Sequence, residues 1–237
     1  MRVCAGGDLL AQLLVAQPEV LVSLADPAVL EGRRTRADFR AALASVFAPG
    51  LGAAEQRDRL RRIKQAQELT VVWRYLLGVT DVDRYSREMT ALAEATLAAG
   101  WLMALGAQVE RHGVPRDTRG RFVPAVIVGL GKLGGRELTT GSDLDLFVTF
   151  GRADAGTADG ETDGPERVDA HTFYSGAVER LAHCRLEGTG RSPLLCAVRQ
   201  YRSEYAVGGN GDERGRYRGA RRGAAGREHL DPPGDHL

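Results

Sequence analysis

The chain has 237 residues, a formal net charge of +1, and 43% hydrophobic and 27% charged residues. That is length for one sizeable core or two modest ones, in the composition of an ordinary soluble protein, and the near-balanced charge gives no global reason to expect a nucleic-acid partner. Three scattered cysteines, Cys4, Cys184 and Cys196, have neither metal-ligand spacing nor a disulfide framework. No apolar run approaches the roughly 18–20 residues that cross a bilayer, and the short start to Cys4 is not a signal peptide. A cytoplasmic protein with no membrane partner is expected.

Residues 8 to about 112 read as helical. Leu9, Leu10, Leu13 and Leu14 recur at helical spacing before Pro18. Arg36 to Phe47 presents Phe39, Leu43, Val46 and Phe47 on one face. After the breaker Pro49-Gly50-Leu51-Gly52, Glu55 to Leu77 forms a long helix with Leu60, Ile63, Leu69, Val72, Trp73 and Leu76 toward a core. Gly78 ends it, and Thr80 with Asp83 resembles a capping arrangement for the next helix. That helix carries Met89, Leu92, Leu97, Trp101, Leu105 and Val109, and Gly113 and Pro115 close it. The basic cluster Arg57, Arg59, Arg61, Arg62 and Lys64 reads as the solvated face of an amphipathic helix.

The period then changes. Pro124 to Leu130 is a short continuous apolar run, the pattern of a strand covered on both faces. Asp143 to Phe150 alternates: Asp143, Asp145, Phe147 and Thr149 face one way, and Leu144, Leu146, Val148 and Phe150 the other. Both aspartates are therefore expected on one face of one strand, with Cα atoms roughly 6.5–7 Å apart. Residues 151 to 168 read as a polar loop, and Asp169 as the cap of a helix through His183 that presents Phe173, Ala177 and Leu181.

Between the two strands lies Gly129-Leu-Gly-Lys-Leu-Gly-Gly-Arg-Glu-Leu-Thr-Thr-Gly-Ser142. Three readings compete. Gly129, Gly131 and Gly134 formally satisfy a dinucleotide-binding fingerprint, but the next strand follows too soon for a crossover helix. A plain strand-to-strand turn explains the glycines, but not two carboxylates beside Lys132, Arg136 and Ser142. A nucleotidyltransferase site explains both. Two carboxylates on one face can hold divalent ions about 3.5–4 Å apart that orient an in-line displacement. Gly134 and Gly135 let the backbone approach a triphosphate and donate N–H groups, Ser142 can bond a phosphate oxygen, and Lys132 or Arg136 can offset its charge. Magnesium suits a few carboxylates plus substrate phosphates.

Gly131-Lys-Leu-Gly-Gly-Arg-Glu-Leu followed by Gly-Ser-Asp-Leu-Asp-Leu resembles the signature of the glutamine synthetase adenylyltransferase/deadenylylase family. The likeness extends upstream through Leu60-Arg-Arg-Ile-Lys-Gln-Ala-Gln-Glu-Leu and Ala91-Leu-Ala-Glu-Ala-Thr-Leu, and downstream to His171-Thr-Phe-Tyr and Glu179-Arg-Leu-Ala-His. It implies one of the two nucleotidyltransferase halves of a multifunctional enzyme of nitrogen metabolism. In that family one half adds AMP from ATP to a tyrosine of glutamine synthetase, and the other removes it by phosphorolysis under control of a PII signalling protein. By resemblance, Asp143 and Asp145 are the catalytic, metal-binding pair, while Gly134, Gly135 and Ser142 hold the triphosphate. The wording Lys64-Gln-Ala-Gln67 leans toward the adenylylating half.

The resemblance also implies a strand after His183 with a third carboxylate in an Asp-x-Arg-x-Arg-Pro context. Nothing after His183 fits it, and Arg185 to Leu237 is dense in glycine and arginine without Phe, Ile, Trp, Met or Lys. This abrupt change points to a disordered or out-of-frame tail, with a frameshift near Cys184. The expectation is thus an α+β chain: a helical domain over 1–115, an incomplete polymerase-β-like nucleotidyltransferase core over 116–184, and a tail over 185–237. The alternative is a non-catalytic remnant or regulatory fragment that retains a nucleotide pocket or partner-binding helices.

Overall fold

The computed structural model describes residues 15, 17–32, 34–151, 160–183 and 196–200. The expected helix over Leu9 to Leu14 and most of the expected tail lie outside them. Two short helices, α1 (Val20–Leu24) and α2 (Pro27–Glu31), lead in. Asp26 caps α2 by accepting from the Ala28 N–H at 2.9 Å. Helix α3 (Arg36–Leu43) begins at a full capping box, in which Thr35 and Asp38 each bond the other's backbone N–H. It tightens into a 3-10 turn over Ala44–Phe47, so Phe47 leaves the face shared by Phe39, Leu43 and Val46 and is 43% exposed.

Helices α4 (Ala53–Leu76) and α5 (Val82–His112) form the body of the molecule. Leu60, Leu69 and Val72 of α4 and Met89, Leu92 and Leu97 of α5 are buried where their spacing placed them, whereas Val109 is exposed. Each such side chain contributes about 2 kcal/mol by leaving water. The cap of α5 is Asp81, which accepts from the Arg84 N–H at 2.7 Å; the Thr80–Asp83 arrangement does not form, and the Thr80 hydroxyl is buried without a partner. One positive-φ glycine, Gly113 at +75°, turns the chain out of α5.

By length and composition α5 is apolar enough to cross a membrane, contrary to the expectation that no segment approaches this. Half of its apolar stretch is buried inside the molecule, packed against α3 and α4 and against the last of the described helices. Its apolar length is matched by protein neighbours on several sides.

A buried ion pair ties the helices together. Arg74 of α4, fully buried, reaches Glu88 of α5 at 2.5 Å and donates from Nε to the Leu30 carbonyl of α2 at 2.7 Å. Arg84 adds a second contact to Glu88 at 3.1 Å. Burial pulls the Arg74 guanidinium down from its ordinary pKa, and the Glu88 carboxylate opposes that shift.

After α5 come β1 (Pro115–Arg116), β2 (Ala125–Gly129), helix α6 (Gly131–Gly135), β3 (Leu144–Phe150), β4 (Glu161–Thr162), helix α7 (Ala170–His183) and β5 (Cys196–Gln200). Strand β1 pairs antiparallel with β4, giving structure to part of the segment expected as loop. In the main sheet β3 is central, antiparallel to β2 and parallel to β5. Leu144, Leu146 and Val148 point into the same core as Phe39, Leu60 and Leu92, so the hydrophobic interior runs without a break from the helices into the sheet. Asp169 caps α7 as expected, accepting from the Thr172 N–H at 2.7 Å, and Phe173, Ala177 and Leu181 are buried.

Three expectations change. Strand β2 is not covered on both faces: Ala125 and Ile127 pack against the core, while Val126, on the alternate face, is 57% exposed. The glycine-rich segment is one helical turn, α6, rather than an open turn. Residues 196–200, read as tail, form a strand paired in register with Leu144 to Val148.

Candidate functional site

The site stands where β2 ends, α6 turns and β3 begins. Strand alternation in β3 is as read from the sequence: Leu144, Leu146, Val148 and Phe150 are buried, and Asp145 is exposed on the opposite face. Asp143 is also exposed but precedes the strand, in the two-residue link between the turn at Gly141 and Leu144. Neither carboxylate takes part in an ion pair or hydrogen bond among the described residues. Two solvent-facing carboxylates two residues apart are thus free to accept a cation.

Asp145 is held by its backbone. Its carbonyl accepts from the Leu130 N–H at 2.8 Å, fastening the start of β3 to the entry of α6. Its side chain lies directly over Gly131, where an added Cβ would stand 2.9 Å from Asp145 Oδ2. Gly131 also has φ +49°, a region that side chains disfavour. Only glycine lets this carboxylate sit so close to the turn, a part for Gly131 distinct from the dinucleotide fingerprint that its spacing suggests.

Gly134 and Gly135 are exposed, as are Lys132 and Arg136. The Gly134 N–H is already committed to the Leu130 carbonyl at 3.0 Å, so it is not a spare phosphate donor as expected from sequence. What Gly134 supplies is room: a Cβ there would stand 2.7 Å from the Gly129 carbonyl oxygen. Arg136 is a left-handed non-glycine residue at φ +60°, a conformation costing about 1 kcal/mol, and it ends α6 with its N–H on the Leu133 carbonyl. Leu133 is the buried residue that anchors α6 to the core.

Ser142 closes the turn before the aspartates. Its hydroxyl accepts from the Thr139 N–H at 3.1 Å and meets the Thr139 hydroxyl at 3.0 Å. With Thr139 as the donor in the hydroxyl contact, the Ser142 O–H is left to donate to a further oxygen. Next to it, Thr140 is gripped from the helices by Tyr85 of α5, whose phenol accepts from the Thr140 N–H at 2.9 Å. No periodicity in the sequence announces that contact.

The antiparallel register of β2 with β3, Ala125 opposite Phe150 and Gly129 opposite Leu146, removes the dinucleotide-binding reading. That fold requires parallel strands joined by a crossover helix. What remains is an α+β protein with a paired-carboxylate site at the head of a strand, beside a glycine-built helical turn.

The family model of glutamate-ammonia ligase adenylyltransferase matches residues 1–196, past the point at His183 where the resemblance was expected to stop. The chain is 34% identical over 191 residues to the bifunctional glutamine synthetase adenylyltransferase/adenylyl-removing enzyme of Thioalkalivibrio sulfidiphilus, covering 80% of this chain and 19% of that protein. It is 32% identical over 185 residues to the enzyme of the same name from Shewanella frigidimarina (77% of this chain, 19% of that protein), and 35% identical over 147 residues to that of Bordetella pertussis (61% and 15%). The chain belongs to the glutamate-ammonia ligase adenylyltransferase family. It spans about a fifth of the length of these curated relatives.

Proposed function

We propose that this chain binds ATP with magnesium at Asp143 and Asp145 and takes part in nucleotidyl transfer, moving AMP to or from a tyrosine of glutamine synthetase. The observation that carries the reading is the seating of Asp145 over Gly131, with Asp143 exposed two residues earlier and neither carboxylate otherwise engaged. The donor set suits magnesium, which takes one or two protein carboxylates and fills its shell with phosphate oxygens and water. When bound, the metal supplies charge neutralisation and in-line orientation of the phosphoryl oxygens. The protein's own part is positional. Asp143 and Asp145 fix the phosphates relative to β3, Gly134 keeps side chains out of the approach, and Ser142 bonds an oxygen. Lys132 and Arg136, both exposed beside the turn, offset negative charge. A PII-type signalling protein as the controlling partner, and the cytoplasm as the place of action, belong to the same proposal.

A second reading is favoured by one specific feature. Strand β5 lies beside β3 with Ala197 in register with Asp145, and Cys196–Gln200 contains no carboxylate. Among the described residues no group of three metal-ligating side chains is assembled. On this reading the chain binds the nucleotide without turning it over. Transfer of labelled AMP to glutamine synthetase separates the two. Label on the target tyrosine, lost in Asp145→Asn, supports the transferase; magnesium-dependent ATP binding without label supports the binding reading; and no ATP binding overturns both.

A further inference from the structure

At the far end of α5 from the carboxylate pair, a cavity of about 550 Å³ opens between the first turn of α4, the last turns of α5 and the outer face of α7. Tyr85, which grips the carboxylate loop, and Gln108, which lines this cavity, are 23 residues apart on one helix, or roughly 35 Å at 1.5 Å per residue. The two sites are physically separate.

The wall of the cavity has two independent features. The first is charge: Arg57, Arg111, His112 and Arg180 line it against a single carboxylate, Glu179. Arg111 is held in place by Glu166 at 2.6 Å, while Arg57 and Arg180 are exposed and have no ion-pair partner among the described residues. The second is Gln108. Its side chain is on a residue only 4% exposed, and its amide makes no hydrogen bond among the described residues. The amide is therefore left to bond whatever enters the cleft that Gln108 lines. The cleft is also shaped around it, because Gly176 of α7 leaves the space in which the amide nitrogen lies; a Cβ there would collide with it.

We propose that this cleft is a second ligand site, taking a small oxyanion-bearing molecule, with Gln108 Nε2 donating to an anionic oxygen and Arg57 and Arg180 neutralising it. The volume is in the range of small-molecule sites. The anion accepts from the amide and offsets the like charge of the guanidinium groups around the cleft. Phosphate and carboxylate share this chemistry, and the test distinguishes them.

Titration calorimetry on the full 237-residue chain, with pyrophosphate in one arm and citrate in the other, reads this directly. Saturable one-site binding of one probe is expected, at least tenfold weaker in Arg57→Gln/Arg180→Gln and in Gln108→Leu, and unchanged in Asp143→Asn. The probe that binds more tightly assigns the anion class. The arginine variant alters only exposed side chains, so it decides the matter if Gln108→Leu fails to fold. Absence of saturable binding of either probe overturns the proposal. So does binding that survives loss of both arginines, or binding abolished by Asp143→Asn, which would place the anion at the carboxylate site.

Discussion

The Tyr85 phenol and Thr140 are joined twice: the Thr140 N–H donates to the phenolic oxygen at 2.9 Å, and the two hydroxyls meet at 2.8 Å. Tyr85 is in turn stacked on Tyr75, with ring centroids 4.6 Å apart. A residue of α5 thereby sets the position of the loop that leads, three residues later, into Asp143. Tyr85→Phe keeps the stack and removes both hydrogen bonds. It is expected to lower stability by about 1–2 kcal/mol and to weaken magnesium-dependent ATP binding several-fold. Chemical denaturation and nucleotide titration measure the two effects, and unchanged nucleotide affinity would show that the clamp serves stability alone.

Gly131→Ala tests the seat of Asp145. The substitution puts a methyl 2.9 Å from Asp145 Oδ2 at a φ of +49°. A loss of about 1–2 kcal/mol in stability follows from the left-handed conformation, and ATP binding is expected to fall by more than that figure implies, because the carboxylate itself is displaced. Gly135→Ala is its control: the nearest atom to a Cβ there is Glu137 Cδ at 3.4 Å, so that variant keeps its fold and binds ATP more nearly normally.

Asp143→Asn and Asp145→Asn each remove a charge that has no ion-pair partner among the described residues. Both are expected to leave the melting temperature almost unchanged and to abolish the magnesium dependence of ATP binding. Retention of that dependence in both variants would remove the carboxylates from the metal site.

Arg74 and Glu88 make an asymmetric prediction. Arg74→Met leaves the buried Glu88 with the partly exposed Arg84 and the Arg34 N–H, and is expected to cost about 3–5 kcal/mol, as for other broken buried pairs. Arg36→Met, which removes an exposed contact to Glu94, is expected to cost less than about 1 kcal/mol. Urea unfolding of the two variants gives the comparison.

Asp163 contributes a dependence on acid. The Arg116 side chain, and then the Val114 N–H, hold its carboxyl below the ordinary value of 3.8. A depressed carboxyl adds stability that is fully present above the ordinary value and is lost as pH falls through the lower folded one. Asp163→Asn should therefore flatten the fall in melting temperature below about pH 4 and leave the neutral range little changed in shape.

Much of this molecule was legible locally. The helical faces of Phe39, Leu60 and Leu92, the cap at Asp169 and the alternation of Leu144 to Phe150 all follow from spacing within a few residues. So does the presence of two carboxylates beside a glycine-rich segment, since motif and strand period lie in one stretch of chain. Spacing misled where a neighbour decides. The apolar run of β2 looked fully covered, yet its exposure depends on what packs over each face of the sheet. Thr80 looked like a cap, yet Asp81 took that role.

The sequence by itself determined the family, the helices and the carboxylate pair, because these rest on local period and contiguous motif. Only the tertiary structure decided that β2 and β3 run antiparallel, that residues 196–200 extend the sheet, that Asp145 rests on Gly131, and that Tyr85 reaches Thr140 across 55 positions. The same holds for Gln108 facing Gly176 in the second cleft. Such contacts join surfaces that the chain brings together only after its elements pack, and a hydrogen bond between distant positions imposes no repeat on the residues between them.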